Sequence, residues 1–223
     1  MGKFYLVINN GKFIGDSGEG LGTVYNMDNA CKQCGTGYRL VGNLQVKGVN
    51  TNNLFFDTIA RDFIISESLY QALMASFIKV GNLLRVIDYK TNHELPFYYF
   101  KPEASFPKML PESEGITTEG QCPLCKQNGF FDQGITIKNP AGEPEGIKWI
   151  PRKYKYSISD KNFLEQSDIF NTWEHFGYSN VVASGNRVVR YARPLLIVSE
   201  NVKRVFESQV VKNSLFEEIF IED

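Results

Sequence analysis

Apolar and polar positions fall into one arrangement that occurs twice along the chain. In the first half, Asp62-Phe63-Ile64-Ile65-Ser66-Glu67 runs into Leu69, Leu73 and Phe77, and an apolar run follows at Leu83, Leu84, Val86 and Ile87. Near the end, Leu195-Leu196-Ile197-Val198-Ser199-Glu200 runs into Val202, Phe206 and Val210, then into Leu215, Phe216, Ile219 and Ile221. The two align without a gap from Phe63 on Leu196 to Phe77 on Val210, at a constant offset of 133 positions. Consecutive β-favouring residues predict a strand buried on both faces. The serine that ends it predicts a helix N-cap, because its hydroxyl accepts from an otherwise unpaired backbone N–H. The glutamate after it suits the positive end of the helix dipole. Apolar residues at i, i+4 and i+8 mark one helical face. Each copy reads as strand, capped helix, strand.

The rest of the chain reads mainly as short strands and turns. Phe4 to Ile8 predicts a strand, with Asn9-Asn10-Gly11-Lys12 as a hairpin turn into a second strand at Phe13-Ile14. Tyr38 to Val46, Leu95 to Phe100 and Phe130 to Ile137 predict further strands, and 139–146 a plain loop. Ser167 to Trp173 reads as a short helical or turn segment packing its aromatics. Prolines and glycines between Lys101 and Gly120 mark the boundary between halves. The expected fold class is α+β, with two related halves over 1–105 and 106–223, each a small mixed sheet with one main helix.

Composition adds bounds. Of 223 residues, 43% are apolar, enough for a sizeable core, and 22% are charged. The net charge of −1 supplies no global field for nucleic acid or an anionic membrane. No run of about 18 apolar residues offers a transmembrane helix, and no secretory leader is recognisable at the N-terminus. A cytoplasmic location and a membrane-free life are the expectation.

In a reducing compartment the four cysteines point to metal rather than disulfides. They form two CxxC pairs, Cys31/Cys34 and Cys122/Cys125, one upstream of each repeated unit. Two intervening residues let both thiolates reach one ion about 2.3 Å away, and two such pairs complete a tetrahedral zinc site. The pairs lie far apart in sequence, so tertiary structure has to join them. Four thiolates leave no open coordination position, so such a zinc is structural rather than catalytic. Four incidental cysteines without metal are the competing reading, and a thioredoxin-type redox pair lacks its βαβ context.

Other candidates have plainer explanations. The glycines from Gly15 to Gly22 lack the Gly-Lys-Ser/Thr ending of a phosphate loop and read as a surface loop. His93 and His175 lie in no metal-binding or catalytic motif and read as packing residues, while helix capping accounts for Ser66 and Ser199. No catalytic constellation is recognisable, which argues against an enzyme. The stretch from Lys148 interleaves Lys148, Arg152, Lys153 and Lys155 with Trp149, Tyr154 and Tyr156, a composition suited to single-stranded nucleic acid and also to an amphipathic edge strand. Arg187, Arg190 and Arg193 read as an outward series, solvated or paired with acids.

Cys31-Lys32-Gln33-Cys34-Gly35, Cys122-Pro123-Leu124-Cys125 and the terminal Leu195-to-Glu222 unit together resemble the double-CXXCG proteins of bacteria. The second pair departs from that pattern, with Lys126 where the motif has glycine. The resemblance implies an immunity protein of a polymorphic toxin system: a non-enzymatic inhibitor of a cognate protein toxin, with a metal site on Cys31, Cys34, Cys122 and Cys125. Trp149, Tyr154, Trp173 and the acidic tail Glu217, Glu218, Glu222 and Asp223 are the expected interface. On a nuclease toxin, that acidic tail would mimic phosphate. The alternative is a zinc-ribbon-like nucleic-acid binder using the segment from Trp149 to Tyr156.

Overall fold

The computed structural model describes residues 2–81, 83–181, 189–190 and 192–222. The fold is mixed α+β, with two curled six-stranded sheets as two related halves and the four cysteines between them. The first sheet runs in the order Asp16–Ser17, Leu44–Lys47, Leu84–Asp88, Glu94–Tyr99, Phe63–Ser66, Phe55–Asp57. The second runs Ile116–Thr118, Phe130–Asp132, Ile169–Phe176, Arg193–Ser199, Phe4–Asn9, Ser214–Glu218. Each contains one parallel pair among antiparallel ones.

The repeated unit takes the predicted form in both halves. Strand Phe63–Ser66 leads into helix α1, Glu67–Ala75, and then Leu84–Asp88. Lys161–Glu165 forms the short helix α2. Strand Arg193–Ser199 leads into α3, Glu200–Ser208, and then Ser214–Glu218. Both serines cap as expected: Ser66 Oγ accepts from the Leu69 N–H at 3.2 Å and Ser199 Oγ from the Val202 N–H at 3.5 Å. In each half the two strands of the unit flank one antiparallel strand. In the first that strand is Glu94–Tyr99; in the second it is Phe4–Asn9. The opening strand of the chain thus completes the second sheet, although its residues fall within 1–105.

That placement corrects the expected N-terminal hairpin. Phe4–Asn9 pairs with Arg193–Ser199 on one side and Ser214–Glu218 on the other, and Phe13-Ile14 forms no strand. Further expectations change. Tyr38 to Val46 splits at Gly42 into Arg39–Val41 and Leu44–Lys47, strands of different sheets. Asp16–Ser17 forms a strand within the glycine-rich stretch. Phe130 to Ile137 splits at Gln133 into two strands of different sheets. Ile169–Phe176 is an eight-residue strand rather than a helical or turn segment. The predicted loop at 139–146 also shortens, because Pro144–Trp149 pairs with Gly134–Lys138 in a projecting hairpin exposed along both strands.

Both helices enter one shared core. Leu69 and Leu73 of α1 and Val202, Val205 and Phe206 of α3 pack with Phe55, Ile65 and Tyr98 from the first sheet and Tyr5, Val7 and Val198 from the second. The opposite faces have cores of their own, with Phe56, Ile64 and Phe97 behind the first sheet and Phe4, Leu6 and Ile197 behind the second. Successive strand residues point to opposite faces, so strands buried on both sides need unbroken apolar runs. Each fully buried side chain of this size contributes about 1.5–3 kcal/mol.

Polar bonds also cross the junction. Arg193 Nε lies 3.0 Å from Asp62 Oδ1, with both side chains buried, and Ser17 and Tyr99 donate their hydroxyls to the same carboxylate. The arginine series therefore does not stand outward as a whole: Arg193 turns inward, Arg187 lies outside the described residues, and the Arg190 side chain is likewise undescribed. Asn9 Nδ2 donates to Asp57, and the Lys79 N–H donates to Asp168 at 2.9 Å.

Candidate metal centre

The first cysteine pair sits between the short paired strands Val24–Asn26 and Arg39–Val41. The Gly35 N–H donates to the Cys31 carbonyl at 2.8 Å, and the Cys31 N–H to the Thr36 carbonyl at 2.8 Å. This tight loop turns both thiols the same way. Gly35 has φ 73°, the left-handed region that glycine enters without a Cβ penalty. The second pair repeats the turn without the glycine: the Lys126 N–H donates to the Cys122 carbonyl at 2.9 Å, and Lys126 has φ 55°. Asn128 replaces the second backbone bond, its Oδ1 accepting from the Cys122 N–H at 2.7 Å. The departure at Lys126 is therefore one of residue type and not of backbone shape.

The two turns face each other across the halves. Cys31 Sγ lies 3.7 Å from Cys122 Sγ, and Cys34 Sγ lies 3.5 Å from Cys125 Sγ; all four sulfurs are within 4.8 Å of one another. No disulfide joins them. Thiolates at about 2.3 Å from a tetrahedral ion stand about 3.8 Å apart, so the set fits a metal. Thr36 Oγ1, 3.1 Å from Cys34 Sγ, is placed to donate to that sulfur once it is a thiolate.

Electrostatics differ around the ring. Burial opposes ionisation of Cys31, but the backbone N–H groups of Cys34 and Gln33 and the neighbouring thiols outweigh it and bring its pKa down to about 7. Burial raises Cys34 and, aided by the crowding of Cys34 and Cys31, pushes Cys125 up to about 12. An entering cation has to displace protons from these thiols, so binding strengthens as pH rises.

The remaining candidates fall elsewhere. His175 donates or accepts through Nδ1 at the Trp173 carbonyl, 3.0 Å away, and burial holds its pKa down to about 4; His93 is exposed. Neither joins the cysteines. Trp149 is exposed, Trp173 is half-buried beneath Lys108, and Tyr154 is 2% exposed, which removes it from any surface. Trp149 and Glu217 line one groove of about 310 Å3 with Leu215 and Arg152. Of the acidic tail, Glu217 pairs with Arg152, Glu218 with Lys3 and Glu222 with Lys155, while Asp223 lies outside the described residues. The same pairings, with Lys153 on Glu114, neutralise three cations of the segment suggested for nucleic acid. That segment also has Tyr154 and Tyr156 buried, so neither ring is free to stack on a base.

Sequence reasoning found the four sulfurs but not their supports, Thr36 and Asn128. Neither had a sequence signal: the Cys122 N–H that Asn128 satisfies has its counterpart in the first loop met by the Thr36 carbonyl, a difference that appears only in the folded turns. Among the described residues, no helix is long and apolar enough to cross a membrane. No family model matches the chain, and no curated protein matches it.

Proposed function

We propose that this chain is a non-enzymatic bacterial immunity protein that binds and neutralises a cognate protein toxin in the cytoplasm, and that a structural zinc ion holds its halves together. The observation that carries the reading is the closure of the cysteine ring. Four sulfurs, two from each half, take up every position of a tetrahedral ion. A metal there leaves no site for substrate or water, and it fastens the two halves on which a binding surface depends. Soft thiolates in a tetrahedral set favour zinc among the common divalent ions.

The double-CXXCG resemblance supplies the toxin as partner, and the groove beside Trp149 and Leu215 is the contact region we favour, because an exposed indole beside apolar area suits a binding hot spot. The test is co-expression with the protein encoded by the adjacent gene. Rescue of growth and a stable complex on size exclusion are expected, with Trp149→Ala weakening both. A neighbourhood without a toxin gene, together with a pull-down from the native host that returns no partner, would overturn the reading.

A further inference from the structure

A cleft of about 340 Å3 opens between the halves, away from the cysteines, with walls from both sheets. Five aromatic rings line it: Phe63, Phe130, Phe131, Phe176 and Tyr178. They come partly as contacting pairs, Phe130 with Phe176 at 6.2 Å between centroids and Phe131 with Tyr178 at 4.7 Å. Asp57 also lines the cleft, with its side chain buried and held by the Asn9 amide.

We infer that this cleft binds an organic cation, an amine or guanidinium on an apolar body, with its charge at Asp57 and its body against the rings. Aromatic faces carry negative potential and attract cations, more so when desolvated. A carboxylate has about four acceptor positions; the Asn9 amide and the Asp57 backbone N–H take up two, and Arg61 approaches a third only loosely. The volume suits a molecule of amino-acid to small-drug size. Burial raises the Asp57 carboxyl above its ordinary value, against the opposing influence of Asn9 and Arg61, and an incoming ammonium relieves that cost.

The arginines at the cleft do not fill this role. Arg193 is consumed by Asp62, and Arg152 by a two-pronged pair with Asp132, both at 2.6 Å, and by Glu217 at 3.2 Å. Arg61 stands at the mouth with its side chain 62% exposed, 3.6 Å from Asp57, and its guanidinium rests over the Phe13 ring at 4.3 Å. It is a long, half-solvated pair that a better-placed cation displaces.

Calorimetric titration with phenethylamine, protonated at neutral pH, tests this against its neutral counterpart 2-phenylethanol and against N-acetyl-lysinamide. Saturable binding of phenethylamine, at least tenfold tighter than the alcohol, is expected, as are loss on Asp57→Asn and tightening on Arg61→Ala. Binding by N-acetyl-lysinamide alone would also support the inference and assign the cation to a basic side chain of a protein. The inference fails if neither amine binds, if the alcohol binds equally well, or if folded Asp57→Asn protein keeps full affinity. Should Asp57→Asn not fold, the alcohol and Arg61→Ala comparisons decide.

Discussion

Phe77 and Val210 occupy the same turn in the two halves: each follows its helix in the left-handed region, with φ 58° and 52°. In both, the residue's N–H returns to the carbonyl three positions back and the next N–H to the carbonyl five back from itself, the hydrogen-bond pattern of a Schellman turn. The position favours glycine, yet it holds a phenylalanine 93% exposed and a β-branched valine 72% exposed. Replacing either by glycine forfeits little burial and relieves the strained backbone. A gain of about 0.5–1 kcal/mol each is expected, larger at Val210, from urea unfolding. Alanine, which keeps the Cβ, should give no such gain.

The sulfur ring makes a metal prediction. Purified protein should carry about one equivalent of zinc by elemental analysis. Cys34→Ser should lose it along with about 4 kcal/mol of stability, where free zinc stands about a thousandfold above its dissociation constant. Lys126→Gly should go the other way, retaining zinc and gaining stability, since it restores glycine to a left-handed position. Metal-free wild-type protein as stable as the zinc-loaded form would refute the structural role.

The buried pair of Arg193 and Asp62 ties the first sheet to the second. Arg193→Met leaves a carboxylate buried without its counter-charge and should cost about 3–5 kcal/mol in denaturant unfolding. Adding Asp62→Asn removes the stranded charge and keeps an acceptor for one of the two hydroxyls, Ser17 and Tyr99, that bond its separate oxygens. The double variant should therefore be more stable than Arg193→Met alone. If it is not, the pair's charge is not what matters.

Glu174 has 0% exposure, and one of its oxygens accepts from the Met109 N–H at 2.8 Å. Burial raises its pKa above the ordinary 4.5, against the opposing pull of that N–H. The folded state therefore holds its proton more tightly than the unfolded chain does. The associated stability is full below the unfolded value and is lost as pH climbs through the folded one. Glu174→Gln should be more stable than wild type at neutral pH, with the advantage shrinking on acidification toward pH 4 in thermal melts. An advantage that grows on acidification would contradict this.

Much of the architecture was legible because it depends on local chemistry. Ser66 and Ser199 cap helices wherever a strand ends against an amphipathic run, and the unbroken apolar stretches record burial on two faces. The misread segments depend on distant partners. Asn9-Asn10-Gly11 carries hairpin chemistry, yet the strand before it pairs with residues near the other end of the chain. In Ile169–Phe176 the buried Asn171, Thr172 and Glu174 break the apolar pattern that marks a strand; Asn171 finds the Pro102 carbonyl and one Glu174 oxygen the Met109 N–H, partners that lie far off in sequence.

The cysteine spacing suggested a metal, but the crossed arrangement of Cys31 with Cys122 and Cys34 with Cys125 is a property of the assembled halves. The cysteine pairs repeat at an offset of 91 and the strand-helix units at 133. The extra length in the second half includes the projecting hairpin. Asp57 gave no sequence signal, since a lone aspartate ending a Phe-Phe strand looks like any other.

The strand Phe4–Asn9 lies between two strands that follow it by nearly the whole length of the chain. On a ribosome, its slot does not exist until Arg193–Ser199 and Ser214–Glu218 have been made, so those apolar residues must wait unpaired while the first sheet assembles. Translation delayed before residue 193 would prolong that wait, and chaperones that shelter nascent apolar segments should engage Phe4–Asn9.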